Sequence, residues 1–139
     1  MTTYEHFSLA PWDRHRWPNF SPGEPNLACP CCGEFCLDEA SFDRLQALRR
    51  KLGRPVHVNS GHRCFRHNAR VGGATLSMHK RLVAFDVSLV NQRPAELLDA
   101  ARRVGFTGFG YYATFLHLDL GRARWWVTKG GAKIWTGLL

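Results

Sequence analysis

Apolar positions in this chain follow two periods. In "LDEASFDRLQALRRKLG", Phe42, Leu45, Leu48 and Leu52 recur at the spacing of one helix face. Acidic residues open that segment, basic ones close it and Gly53 follows, as a helix with matched ends requires. "RPAELLDAARRVGF" reads as a second helix, with Pro94 near its first turn and Gly105 just past its end. Elsewhere the period is two. "PVHVNSG" alternates Val56 and Val58 inward. "LVAFDVSLV" sends Val83, Phe85, Val87 and Leu89 to one face and Ala84, Asp86 and Ser88 to the other. "TFLHLDLG" opposes Thr114, Leu116, Leu118 and Leu120 to Phe115, His117 and Asp119. "AKIWTGLL" reads as a last edge strand. Residues 1–28, rich in Pro, Trp and Phe, keep no sustained period and read as an arm around a domain spanning 29–139. "HNARVGGATLS" and "GFTGFGYY" read as glycine-broken connections. Strands separated by helices and long loops predict an α+β fold: a small, mainly antiparallel sheet with two main helices.

Composition narrows the setting. With 139 residues, 45% hydrophobic and 22% charged, the chain is sized for one globular domain. It has no apolar run near the roughly 20 residues that span a bilayer. "MTTYEHFSLAPWDRH" lacks a basic region followed by an apolar one, so a protein made in the cytoplasm without a standard export signal is expected. Nineteen Lys and Arg against 11 Asp and Glu give a net charge of +8, which draws polyanions; nucleic acid and an acidic wall polymer both qualify. Cysteines 29, 31, 32, 36 and 64 are odd in number and clustered, a poor match to a full disulfide framework. "CPCCGEFC" misses the paired C-x-x-C spacing of a zinc ribbon. Buried thiols with one bridge from the cluster to Cys64 are the expectation.

The chemistry-bearing residues fall on the polar faces of two strands and in the loop before the first. Asp86 sits on a small, polar face, where a buried carboxylate is costly unless it meets a cation or a partner. His79 lies in the polar "SMHKR" just before that strand. On one continuous helix these two would stand about 10 Å apart along the axis, whereas a loop entering a strand can bring them together. His117 and Asp119 are about 6.6 Å apart along their strand, so His117 can join as a third ligand with Asp119 at the border. Two imidazoles, one carboxylate and an open position make a catalytic zinc centre. The competing reading is an Asp in an ordinary ion pair, with Asp119 bridged to Arg122 or Arg124.

"SGHR", "HN", "VGGA", "SMHKRLVAFD" and "FLHLDLG", in that order, resemble the zinc D-Ala-D-Ala carboxypeptidase-like peptidases, which share a fold with the Hedgehog signalling domain. The resemblance covers about residues 36–126 and is closest to the bacterial and prophage branch ending in H-x-D-x-G, here "HLDLGRARWW". It implies Zn²⁺ held by His79, Asp86 and His117, and a substrate carboxylate held by Arg63, whose planar fork of donors suits that task. It further implies hydrolysis of peptidoglycan stem peptides or cross-links next to D-amino acids, with action in the periplasm or wall, after phage delivery or through a lysis pore.

Two positions depart from the family pattern. Leu82 replaces a glycine after His79, and Thr114 replaces an acid three residues before the last histidine. Asp119 is the nearest substitute for that acid. It has two open roles: taking a proton from water at the metal, or accepting the second N–H of a ligand histidine and fixing its tautomer. His62 and His67 flank Arg63 and can aid an oxyanion or shape the loop, and Tyr111 and Tyr112 are candidate donors to substrate. His6, His15 and His57 read as structural, and Trp125 and Trp126 as packing. The alternatives are a wall-binding or virion component of the same fold with an altered centre, and a basic nucleic-acid binder built on "CPCCGEFC".

Overall fold

A computed structural model describes residues 1–73 and 83–139. Its main sheet joins β3 (Val58–Ser60), β4 (Ala84–Ser88), β5 (Gly108–Tyr111), β6 (Phe115–Asp119) and β7 (Arg124–Val127) in the order β3-β4-β6-β5-β7. Every pairing is antiparallel except β5 with β7, which is parallel. The predicted α+β class and mainly antiparallel sheet are both present. Val87, Phe85, Leu116 and Leu118 are fully buried, as the period-two pattern requires, and they form the floor of the core.

Helix α1 (Glu39–Leu52) lays Phe42, Leu45, Leu48 and Leu52 on that floor, each contributing about 1.5–3 kcal/mol by leaving water. Gly53 ends α1 at φ 67°, donating its N–H to the Arg49 carbonyl, in a left-handed turn suited to a residue without Cβ. Helix α3 (Pro94–Arg103) buries Leu97, Leu98, Ala100 and Ala101 beside it, and the Arg54–Glu96 pair at 2.6 Å links the turn after α1 to α3.

The first residues are tied down from both sides. β1 (Thr2–Tyr4) pairs antiparallel with β2 (Phe35–Leu37) in a separate two-stranded sheet. Trp17 and Phe20 enter the core. Arg16 grips Asp43 of α1 through two 2.7 Å bonds, and the Trp17 indole N–H donates to the same carboxylate at 2.9 Å. Trp12 and Trp17 pack at 4.7 Å and Trp12 and Phe42 at 4.9 Å between ring centroids. The arm thus supplies one wall of the aromatic core.

Three expectations need correction. "HNAR" belongs to a helix, α2 (Phe65–Arg70), whose Cys64 cap accepts from the His67 N–H; six residues carry too little periodicity to reveal it. "AKIWTGLL" is helical, with α4 (Ala132–Trp135) running into a 3-10 turn over Thr136–Leu138. Only Trp135 of the neighbouring Ile134 and Trp135 is buried, and its indole donates to the Tyr112 carbonyl at 2.9 Å. A single anchor on a short helical turn leaves no edge to extend the sheet. Finally, no bridge joins the cysteines: all five are free thiols.

Candidate metal centre

The register of three strands assembles the site. Asp86 stands directly opposite His117 on the β4–β6 ladder, and Ala84 opposite Asp119. On the other side of β6, Gly110 faces His117 and Gly108 faces Asp119. Cross-strand partners bring side chains within about 5.5 Å at Cβ, so the same alternation that sends leucines to the core gathers the polar groups on the opposite face.

His117, only 5% exposed, is held at both ring nitrogens. Nδ1 lies 3.1 Å from Asp86 Oδ1, and Nε2 lies 2.6 Å from Asp119 Oδ2. Burial alone would lower the His117 pKa, but hydrogen bonds to Asp119 and Asp86 outweigh it and raise it. The ring therefore sits where positive charge, a proton or a metal ion, is favoured between two carboxylates.

Asp119 is fully enclosed and has every lone-pair direction occupied. Oδ1 accepts from the Gly121 N–H at 2.9 Å and from Arg124 at 2.7 Å; Oδ2 accepts from Arg124 at 2.8 Å and from His117. Burial pushes its pKa up, but Arg124, His117 and the Gly121 amide hold it well below the ordinary carboxylate range. An ionised Asp119 assigns the Nε2 proton of His117 and leaves Nδ1 directed at Asp86. The Arg124 pair weighed for Asp119 in the sequence does form, yet it is a buried fork that supports the histidine.

The residues present fit a zinc ion. Two donors on one tetrahedral zinc at bond lengths of about 2.0 Å lie about 3.3 Å apart, close to the 3.1 Å between His117 Nδ1 and Asp86 Oδ1. His79 lies outside the described residues, as does Leu82.

The other candidates divide. Arg63 is half-buried; burial lowers its pKa, and the Asp86 carboxylate opposes that shift, so it shares the electrostatic neighbourhood of the centre. Tyr112 remains on the site face, its ring stacked on Phe115 at 4.2 Å and its hydroxyl accepting from the Trp126 indole at 3.0 Å. Tyr111 is a correction: it is 1% exposed and packs on Trp135 at 5.2 Å, because alternation along β5 turns it into the core. His62 is buried with Nε2 held 2.6 Å from Glu34, an arrangement that suits the loop-shaping role of the two the sequence left open.

Two features escaped the sequence reading. Trp126, read as packing, covers His117 at 4.9 Å between centroids, and Arg124 lies 5.2 Å over the Trp126 ring. The glycines of "GFTGFGYY" are a strand whose missing side chains make room. A Cβ on Gly108 would collide with Arg124 and Asp119, and one on Gly110 with Trp126 and Tyr112. Gly at alternate strand positions signals such close approach.

The profile of the family described as Peptidase M15 matches residues 18–119. The chain is 32% identical over 99 residues to the peptidoglycan L,D-endopeptidase MepK of Escherichia coli (strain K12), covering 65% of this chain and 54% of that protein. The MepK of Shigella flexneri gives the same figures. The chain thus spans about half the length of the curated relatives it matches.

Proposed function

The chain belongs to the peptidase M15 family, and from that premise we propose that it is a zinc-dependent peptidase cleaving peptidoglycan stem peptides or their cross-links next to D-amino acids. The observation that carries this reading is the divided coordination of His117, with Nδ1 3.1 Å from Asp86 and Nε2 on Asp119 at 2.6 Å. A purely structural ion pair needs one carboxylate; a ligand histidine needs a partner on its second nitrogen while the first faces the metal.

Asp86 and His117, with His79, would hold the ion. When bound, zinc supplies Lewis-acid polarisation of the scissile carbonyl and lowers the pKa of water to about 7. Asp119 keeps the proton on Nε2 of His117 and fixes the ring plane. Of its two open roles this leaves orientation, since an acceptor saturated by Arg124, Gly121 and His117 has no lone pair for a proton from water. Asp119 is accordingly a positioning residue and not the general base. Arg63 would grip the substrate's carboxylate, Tyr112 stands ready to hydrogen-bond the peptide, and Trp126 shields one side of His117 from bulk water. The net charge of +8 favours approach to an anionic wall polymer, in keeping with action on the cell wall.

Purified sacculi incubated with the protein should release peptides identifiable by mass spectrometry. Release should cease with chelator, return with Zn²⁺ and be absent from H117A. Binding to sacculi without release of peptides would instead identify a wall-binding component of the same fold.

A further inference from the structure

A second group of donors lies outside that centre. Among the described residues, the sulfurs of Cys29, Cys31, Cys32 and Cys64 all lie within 4.8 Å of one another. Three of the separations are 3.4, 3.6 and 3.4 Å. A disulfide would need about 2.05 Å, whereas the edge of a zinc tetrathiolate with bonds of about 2.3 Å is about 3.8 Å. The thiols therefore stand near the corners of a tetrahedron.

The backbone is shaped for such a site. Cys29-Pro30-Cys31-Cys32 contains one C-x-x-C pair, and the chain turns back on itself after it. Gly33, at φ 80°, donates to the Cys29 carbonyl at 2.8 Å, and the Cys29 N–H donates to the Glu34 carbonyl at 2.8 Å. Cys64, 35 residues from Cys29, already accepts the His67 N–H at 3.4 Å, the kind of outer bond that orients a thiolate ligand. Four thiolates around Zn²⁺ carry a net charge of −2, and Arg66 and Arg70 line the same cavity beside Cys31, Cys32 and Cys64. Cys36 stands apart in β2, buried.

We propose that Cys29, Cys31, Cys32 and Cys64 bind a structural Zn²⁺ as a closed tetrathiolate site, distinct in its ligands from the strand-borne centre. Each thiol releases its proton to solvent as the ion binds. The ion ties the turn that follows the arm to the loop that carries His62 and Arg63, beside the Gly61 N–H to Asn26, the His62 N–H to Leu27 and the His62–Glu34 contact. It anchors the Arg63 loop and leaves no open coordination position for chemistry.

The test uses the full-length H117A protein, in which the strand-borne centre lacks a ligand. After loading with zinc and desalting, it should retain one equivalent, and X-ray absorption at the zinc edge should show four sulfur neighbours at about 2.3 Å. In the wild-type protein, Cys31 and Cys32, although exposed, should resist alkylation until a chelator is added. C32S should lose one zinc equivalent relative to wild type; should it fail to fold, the H117A spectrum still decides. A zinc-free H117A protein, a first shell of nitrogen and oxygen, iron in place of zinc, or a disulfide within the cluster in unreduced protein would each overturn the proposal.

Discussion

The two donor clusters are built by opposite means. Asp86, His117 and Asp119 are placed by strand register, each on a residue whose neighbours on the ladder are fixed by backbone hydrogen bonds. Cys29, Cys31, Cys32 and Cys64 are placed by a tight turn and by two chain segments meeting. The first cluster is charged and pre-satisfied by protein partners, above all Arg124 on Asp119. The second holds thiols whose mutual contacts are weak until an ion unites them. A site that must orient a reacting group is held rigid by protein, and a site that only fastens two segments leaves that work to the metal.

The largest expected effect probes this difference directly. R124A should destabilise the fold by about 3 kcal/mol, because it leaves the fully enclosed Asp119 charge without its cation; denaturant unfolding in the presence of chelator measures it. C31S should show no such loss under the same conditions and should fall below wild type only when zinc is supplied. Equal losses for both variants in chelator would erase the distinction between the clusters.

D119N should reduce zinc affinity at the strand-borne centre by about 10–100-fold, read by competition with a chromophoric chelator, while the zinc held by the thiols is unchanged. Wild-type affinity in D119N would mean that the tautomer is fixed by another group. G108A should cost about 1–3 kcal/mol, since the added carbon meets Asp119 and Arg124, and a G53A control, with open space but positive φ, separates steric from backbone effects.

The smallest effect touches neither cluster. Asp43 has its pKa lowered by the Arg16 hydrogen bond, against opposition from burial. A carboxylate depressed in the folded state stabilises above its unfolded pKa of about 3.9 and loses that contribution as pH falls through the folded value. D43N should therefore be less stable than wild type at neutral pH, with the gap narrowing in acid below about pH 4. A gap that widens in acid would reverse the assigned sign.

Much of the strand-borne site was legible because β-strand alternation is a short-range rule. The sequence put Asp86 on the polar face of one strand and His117 and Asp119 together on a face of another, and the register brings the three together. Trp126 was not legible as a site residue, and Arg124 was read only as one of two ion-pair partners for Asp119, because β7 joins the sheet by parallel pairing with β5, which no local period announces. Tyr111 and Tyr112 are adjacent, so alternation alone sends them to opposite faces; it could not say which faced the core until the role of Gly110 opposite His117 was known. The thiol cluster was hidden differently. The meeting of Cys64 with the cluster was legible, but as a single bridge; that four sulfurs gather there as free thiols shows only in the fold.

The central claim is that His117 faces the metal with Nδ1 while Asp119 holds the proton on Nε2. Long-range proton–nitrogen NMR of the ¹⁵N-histidine-labelled, zinc-loaded protein reads both nitrogens of His117 at once. The expected result is a protonated Nε2 with Nδ1 shifted by metal coordination, and loss of that pattern on chelation. A protonated Nδ1 with the metal on Nε2, or no change at His117 when zinc is removed, would contradict it.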